Sequence, residues 1–214
     1  MERVHVSNQR RKDVFICTYI GKLDRVNGVG LLIEASRLLP PNFKIHIYGN
    51  GEMMRDILEA NSENLIYHGF VNPDNVSNIL EQSDILLSPR FDANDFVKYS
   101  FPSKIFDYLT VDRPIITFKL PCYFKELDDV MIYLENDSPE EMANKIVENS
   151  INQISKRQVL DKIYSNYNAE SLANRINYLA TNKRVWQAII VKIFNFYDLA
   201  VIIVIDTYIL PSLG

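Results

Sequence analysis

Holding a phosphate takes backbone amides that converge on one point and a cation beside them. The stretch Ser100-Phe101-Pro102-Ser103-Lys104 offers both, and Ile105-Phe106-Asp107-Tyr108-Leu109 follows it directly. Ser100 is placed as an N-cap. Pro102 fits the first helical turn, where a missing N–H costs nothing. The amides of Ser103, Lys104 and nearby residues would then point out of the positive end of a helix. Lys104 is expected there as a mobile positive charge. Asp107 lies one turn further on, on the same side, and could accept hydrogen bonds from sugar hydroxyls. Phosphate at the helix tip and hydroxyls one turn deeper describe a nucleotide or a nucleotide-sugar. An ordinary capped helix with a solvated lysine and aspartate would read the same way.

Other chemistry is sparse. Lys22 follows a glycine after an apolar run and could pair with a diphosphate, or could be a solvated surface lysine. His5, His46 and His68 are scattered, and His46 sits in a strand pattern as a packed or edge residue. No Ser, His and Asp are paired for nucleophilic catalysis. Cys17 and Cys122 are too few for a disulfide framework, and no Cys/His cluster has metal spacing.

The elements that must carry these residues alternate between two periods. Strands are expected at 13–19, 44–48, 64–67, 84–87, 114–118 and 130–134. Helices are expected at 28–39, 52–60, 73–82, over the focal stretch, at 138–150 and at 168–180. Pro40-Pro41 closes the first of them, and Ser138-Pro139-Glu140-Glu141 opens another as a capped, acidic first turn. Strand and helix in alternation predict an α/β fold with a Rossmann-like parallel sheet covered on both faces. In such sheets ligands bind beyond the carboxyl ends of the strands. The candidate site therefore gathers Gly21 and Lys22, Gly49-Asn50-Gly51, Phe70 and Val71 after Gly69, Arg90 after Ser88-Pro89, and the focal loop. Gly49 and Gly51 are expected to let backbone approach a ligand closely.

Composition bounds the partners. The 214 residues suit one large domain, or a domain with an appendage, and 47% hydrophobic residues suffice for a full core. A net charge of -4 leaves no basic stripe to neutralise a nucleic-acid backbone, so no nucleic acid is expected. The polar start, Met1-Glu2-Arg3-Val4-His5, does not look like a signal peptide, and a reducing cytoplasmic location is the expectation.

From about Val14 to Leu179 the order of the motifs resembles the C-terminal, donor-binding half of a GT-B glycosyltransferase. The retaining family 4, glycosyl transferases group 1, of the bacterial surface-polysaccharide type, is the one it looks like. The resemblance rests on Tyr19-Ile20-Gly21-Lys22-Leu23, on Gly28 with Leu32-Ile33-Glu34-Ala35, and on Ile45-His46-Ile47-Tyr48-Gly49-Asn50-Gly51. It continues in Asn64 to Val71, in Ser83 to Pro89, and in Pro102 to Leu109 with Arg113-Pro114-Ile115-Ile116.

The resemblance implies roles. Lys22 stands at the first of two basic positions that contact the donor diphosphate; Asn27 stands at the second. Asp107 stands at the second glutamate of a two-glutamate motif and would hold the ribose hydroxyls. The first glutamate falls near Tyr99, with Asp92 and Asp95 upstream as substitutes. Amides between Phe101 and Lys104, those of Phe101, Ser103 and Lys104, would hold the phosphates, in a donor-binding stretch that also includes Ser100 and Pro102. No catalytic residue is assigned. The substrate would be a nucleotide diphosphate sugar, with no cofactor and no metal, and the acceptor a hydroxyl in polysaccharide or glycolipid synthesis.

A full enzyme of this kind has an N-terminal acceptor domain of similar size. The chain is therefore expected to need such an acceptor domain, and three readings stay open: a truncated gene, an expressed fragment, or a subunit completed by an acceptor-domain protein partner. The alternative is a non-catalytic remnant or interaction subunit that keeps the fold. Residues 1–12 are expected to be a linker, 13–182 the nucleotide-sugar-binding domain and 183–214 an apolar helical tail. In the tail, Lys192, Asp198 and Asp206 interrupt stretches too short to span a membrane. Packing on a missing domain or partner is expected of it. The other reading is a peripheral contact with the inner face of the plasma membrane through Trp186 and Tyr208.

Overall fold

The computed structural model describes residues 14–91, 101–152 and 154–167, with Glu170 and Asn174 beyond them. The chain divides into two units, Met1–Asp161 and Lys162–Gly214. The sheet and the site lie in the first.

Six strands form that sheet: β1 (Phe15–Ile20), β2 (Phe43–Tyr48), β3 (Leu65–Gly69), β4 (Ile85–Ser88), β5 (Ile115–Phe118) and β6 (Met131–Leu134). Their order across the sheet is β3-β2-β1-β4-β5-β6. Every pairing is parallel, with Cys17 of β1 opposite Ile45 of β2 on one side and Ile85 of β4 on the other. The chain order reverses between β1 and β4, so their carboxyl ends open into a crevice. The expected Rossmann-like parallel sheet is the observed one.

Burial explains the strand types. Ile85, Leu86 and Leu87 of β4 are fully buried, as a central strand covered on both faces requires. In β2 only alternate residues, Phe43, Ile45 and Ile47, are buried. The other face of β2, near the sheet's edge, carries His46 and Tyr48. The His68 ring lies 4.7 Å from His46 and 4.4 Å from Tyr48. Burial lowers the pKa of both histidines, and His68 lowers that of His46 further. His46 is thus the packed strand histidine expected.

Between the strands run α1 (Val29–Leu38), α2 (Met54–Glu59), α3 (Pro73–Gln82), α4 (Lys104–Tyr108), α5 (Pro139–Asn149) and α6 (Arg157–Tyr167). Helix α1 buries Val29, Leu31, Leu32, Ile33 and Ala35, and α5 lies against it. Each fully buried aliphatic side chain contributes roughly 1.5–3 kcal/mol. Starts follow the sequence. Asn72 caps α3 by accepting from the Asp74 amide, and Ser138 caps α5 by accepting from the Glu141 amide at 3.1 Å, each with proline next. The Glu141 carboxylate reaches back to the amides of Glu135 and Asn136 at 2.9 Å.

Two elements were not foreseen. A 3-10 turn spans Lys125–Asp129, and α6 precedes the expected closing helix. That helix, 168–180, and the tail, 183–214, lie outside the described residues apart from Glu170 and Asn174. No described helix is long and apolar enough to cross a membrane.

Candidate functional site

Three loops leave the strand ends around the crevice. The first, after β1, carries Gly21, Lys22 and Asp24. The second, after β2, carries Gly49, Asn50 and Gly51. They are bonded along their length: Gly21 donates to the Tyr48 carbonyl at 3.0 Å, Leu23 to Asn50 at 2.9 Å and Met53 to Leu23 at 3.0 Å. The fit leaves no room for side chains. A Cβ on Gly49 would sit 1.8 Å from the Gly21 carbonyl oxygen, and one on Gly51 would sit 2.2 Å from that of Leu23. Gly49 also has φ of 140°, which L side chains avoid. These glycines were expected for close approach to a ligand. The structure shows a task for them in the fold itself, which is to let one loop lie against the other.

The third loop, after β4, carries Arg90. It is tied to the first by the Phe91 amide, which donates to Val26 at 3.1 Å. Helix α4 follows 101–103 and starts later than expected. Ser103, in helical conformation, occupies its N-cap position and makes no side-chain cap bond. The first turn is closed by Ile105 and Phe106 amides donating to Pro102 and Ser103 at 3.0 Å. Pro102 therefore precedes the helix. Ser100, expected as the cap, lies outside the described residues, as do Asp92, Asp95 and Tyr99.

Lys104 differs most from expectation. It is not a mobile surface charge. Its ammonium lies 3.9 Å above the centre of the Tyr19 ring, a cation–π contact. It also occupies the space where a Cβ of residue 21 would be, 2.6 Å from that position, so Gly21 admits it. Burial, and secondarily the Arg90 charge, lower its pKa from 10.5 to about 7, with Asp24 opposing. Arg90 is only partly exposed, and its Nε is buried with no hydrogen-bond partner among the described residues. The hydroxyl of Ser88, the last residue of β4, is buried without a partner among the described residues as well.

Lys22 is 75% exposed on its side chain and sits 3.2 Å from the Asp24 carboxylate. Asp24 also accepts from the backbone and the side-chain amide of Asn27, at 2.9 and 2.7 Å. Burial pushes Asp24 up. The Asn27 and Lys22 hydrogen bonds outweigh it and hold the carboxyl below its usual range. Asn27, at the second basic position, thus supports the loop. Tyr19 donates to the Lys22 carbonyl at 2.6 Å.

Tyr108, the last residue of α4, joins the two strands of the crevice. Its phenol accepts from the Ile20 amide at 3.0 Å and donates to the Leu87 carbonyl at 3.3 Å. Asp107 beside it is exposed. Phe101 packs against Phe106, Phe124 and Tyr123 at 4.8, 5.4 and 5.6 Å, and Tyr123 shares a 3.0 Å hydrogen bond with Thr117 of β5. Phe70 is 72% exposed at the exit of β3, with β2 and β1 between that strand and β4.

The structure therefore brings together Gly21, Lys22, Arg90 and Lys104, with Asp24 as their counter-charge. It places Phe70 and Val71 apart from that cluster, toward the sheet's edge. Sequence reasoning missed Tyr19, Asp24 and Tyr108. Only the β1 exit position of the first two was visible as a signal. Three cations, Lys22, Arg90 and Lys104, beside one carboxylate, with a buried Arg90 Nε–H that has no partner among the described residues, are an arrangement that can hold an anion. Among the described residues no group of three or more His, Cys, Asp or Glu is positioned to hold a metal ion.

The profile of the family described as Glycosyl transferases group 1 matches residues 14–150. No curated protein matches the chain in sequence. Among solved structures, a point mutant of S. aureus TarM in complex with fondaparinux, alpha-GlcNAc-glycerol and UDP is 18% identical with a TM-score of 0.57, over 85% of this chain and 38% of TarM. Anabaena Alr3699/HepE in complex with UDP is 12% identical with a TM-score of 0.56, over 79% of this chain and 49% of that one. The C-terminal domain of a glycosyl transferase group 1 family protein (LpcC) from Francisella tularensis is 14% identical with a TM-score of 0.53, over 73% of this chain and 87% of that domain. The likeness is one of fold, and the chain spans less than half the length of TarM and of HepE.

Proposed function

The chain belongs to the glycosyl transferases group 1 family, and from that premise we propose that it is the donor-binding half of an enzyme that transfers a sugar from a nucleotide diphosphate sugar to a hydroxyl acceptor. The observation that carries the reading is the pair of cations, Arg90 and Lys104, set at the crevice between β1 and β4, with an Arg90 Nε that has no partner among the described residues. The diphosphate would lie there, with Lys22 at the mouth. Asp107 would take the ribose hydroxyls, and Phe70 and Val71 would flank the base. Phe101 to Ser103 would close over the phosphates from the start of α4.

The chemistry follows from the charges. As the bond from the sugar's anomeric carbon to the diphosphate oxygen breaks, negative charge grows on the leaving group. Cations already in place stabilise it without reorganising. The acceptor hydroxyl and the group that takes its proton would come from a second domain, in the same polypeptide or in a partner. The UDP named with TarM and HepE, and the C-terminal domain among the similar structures, support this division. The expected setting is the cytoplasmic side of polysaccharide or glycolipid assembly.

One observation favours the second reading, an interaction subunit that keeps the fold without the chemistry. Asn27 stands where the resemblance expects a cation, and it is committed to Asp24. Calorimetric titration with UDP, GDP, dTDP and their sugars decides between the two. Binding of one of them, weakened in Lys104→Met, is expected. Binding of none would leave the second reading.

A further inference from the structure

Helix α4 has only five residues, too few to hold itself by its own hydrogen bonds. Its orientation must come from what its ends touch. Lys104, at its start, reaches Tyr19. At its other end the Tyr108 carbonyl accepts from the ammonium of Lys156 at 2.9 Å. Lys156 is fully buried. A methionine would fill the same space without removing a charge from water, so a lysine there is a costly filler. Its ammonium sits where a helix C-terminus favours a cation. Its backbone is fixed as well. The Lys156 amide donates to the Asp112 carboxylate at 2.9 Å, and its carbonyl receives the Leu160 amide at the start of α6. Tyr108 is therefore held at both extremities, by Lys156 at the carbonyl and by β1 and β4 at the phenol.

We propose that Lys156 is a positioning residue for the donor site, anchoring the far end of α4 so that Lys104 stays over Tyr19 beside Arg90. The effect on donor binding rests on the proposed function. The effect on α4 does not.

The test is hydrogen exchange of the full chain, wild type against Lys156→Met, with nucleoside diphosphate affinity measured on the same samples. Amides of Ile105, Leu109 and Thr110 should exchange about tenfold faster in the variant, while those of Thr18 and Leu86 in the sheet hold their rates. The dissociation constant for whichever of UDP, GDP or dTDP the wild type binds should rise by about tenfold. Unchanged exchange at α4 overturns the proposal. So does faster exchange with unchanged affinity, because Lys156 would then be structural only. If the wild type binds no nucleoside diphosphate, the proposed function fails and the exchange result alone decides whether Lys156 holds α4. Asp112→Asn, which loosens the seat of Lys156 without emptying its site, should show the same pattern more weakly and serves if the methionine variant does not fold.

Discussion

Lys104 and Tyr19 are 85 positions apart in the chain, and the lysine's ammonium stands 3.9 Å from the centre of the tyrosine's ring. The contact turns inward a cation that the local sequence assigns to solvent. Burial at that place, and after it the Arg90 charge, lowers the lysine's pKa to about 7.

Lys104→Met should therefore act in opposite directions on binding and on stability. Nucleoside diphosphate affinity should fall by roughly 10- to 100-fold, the range for losing one charge-assisted contact. The urea midpoint should stay or rise, because a desolvated charge is gone. Calorimetry and urea unfolding on the same samples check both signs.

Diphosphate binding should be linked to proton uptake. A bound anion favours the charged lysine, so affinity should fall as pH rises through about 7, and protons should be taken up on binding above that. Titration in two buffers of different ionisation enthalpy measures the number. Equal apparent enthalpies in both would contradict it.

Folding stability should show the reverse trend. Lys104 and Lys156 both carry folded pKa values of about 7 against an ordinary 10.5, chiefly through burial. Below 7 both states hold the protons and no difference arises. Between 7 and 10.5 the unfolded chain binds more of them, so this contribution raises stability with pH. Urea midpoints at about pH 6 and about pH 9 should rise, and less so in Lys156→Met.

Gly49→Ala should destabilise the fold by about 3 kcal/mol, from a forced left-handed backbone and overlap with the Gly21 carbonyl. Urea unfolding reads the loss. A shift within about 0.5 kcal/mol would mean the two loops part easily.

Asp107→Ala separates a binding role from a structural one. The side chain is exposed, so the melting temperature should change little. Donor affinity should fall by about tenfold if the carboxylate holds the ribose hydroxyls. Thermal melting and calorimetry on one preparation test both.

The six strands were legible because apolar runs such as Ile85-Leu86-Leu87 end in turn residues, and α3 and α5 because Asn72 and Ser138 precede prolines. The start of α4 was not. Ser100 and Pro102 look like a helix opening, but the first turn closes on the carbonyls of Pro102 and Ser103 instead. The inward course of Lys104 was invisible locally, since it depends on Gly21 leaving space and on the Tyr19 ring. The same limit hid the reason for Gly49 and Gly51, whose neighbours belong to a different loop. Helix α6 escaped because its turns are mostly polar and Lys156, fully buried just before it, reads as a surface residue.

The interlocked loops after β1 and β2 also set how a ligand would be received. Three backbone hydrogen bonds and two contacts too close for a side chain make them one rigid abutment. The backbone on that flank does not have to be immobilised when a molecule arrives, so its share of the ordering entropy is already spent in folding. Lys104 is preset as well, its ammonium seated over the Tyr19 ring, so adjustment falls to Lys22, whose side chain is 75% exposed at the mouth.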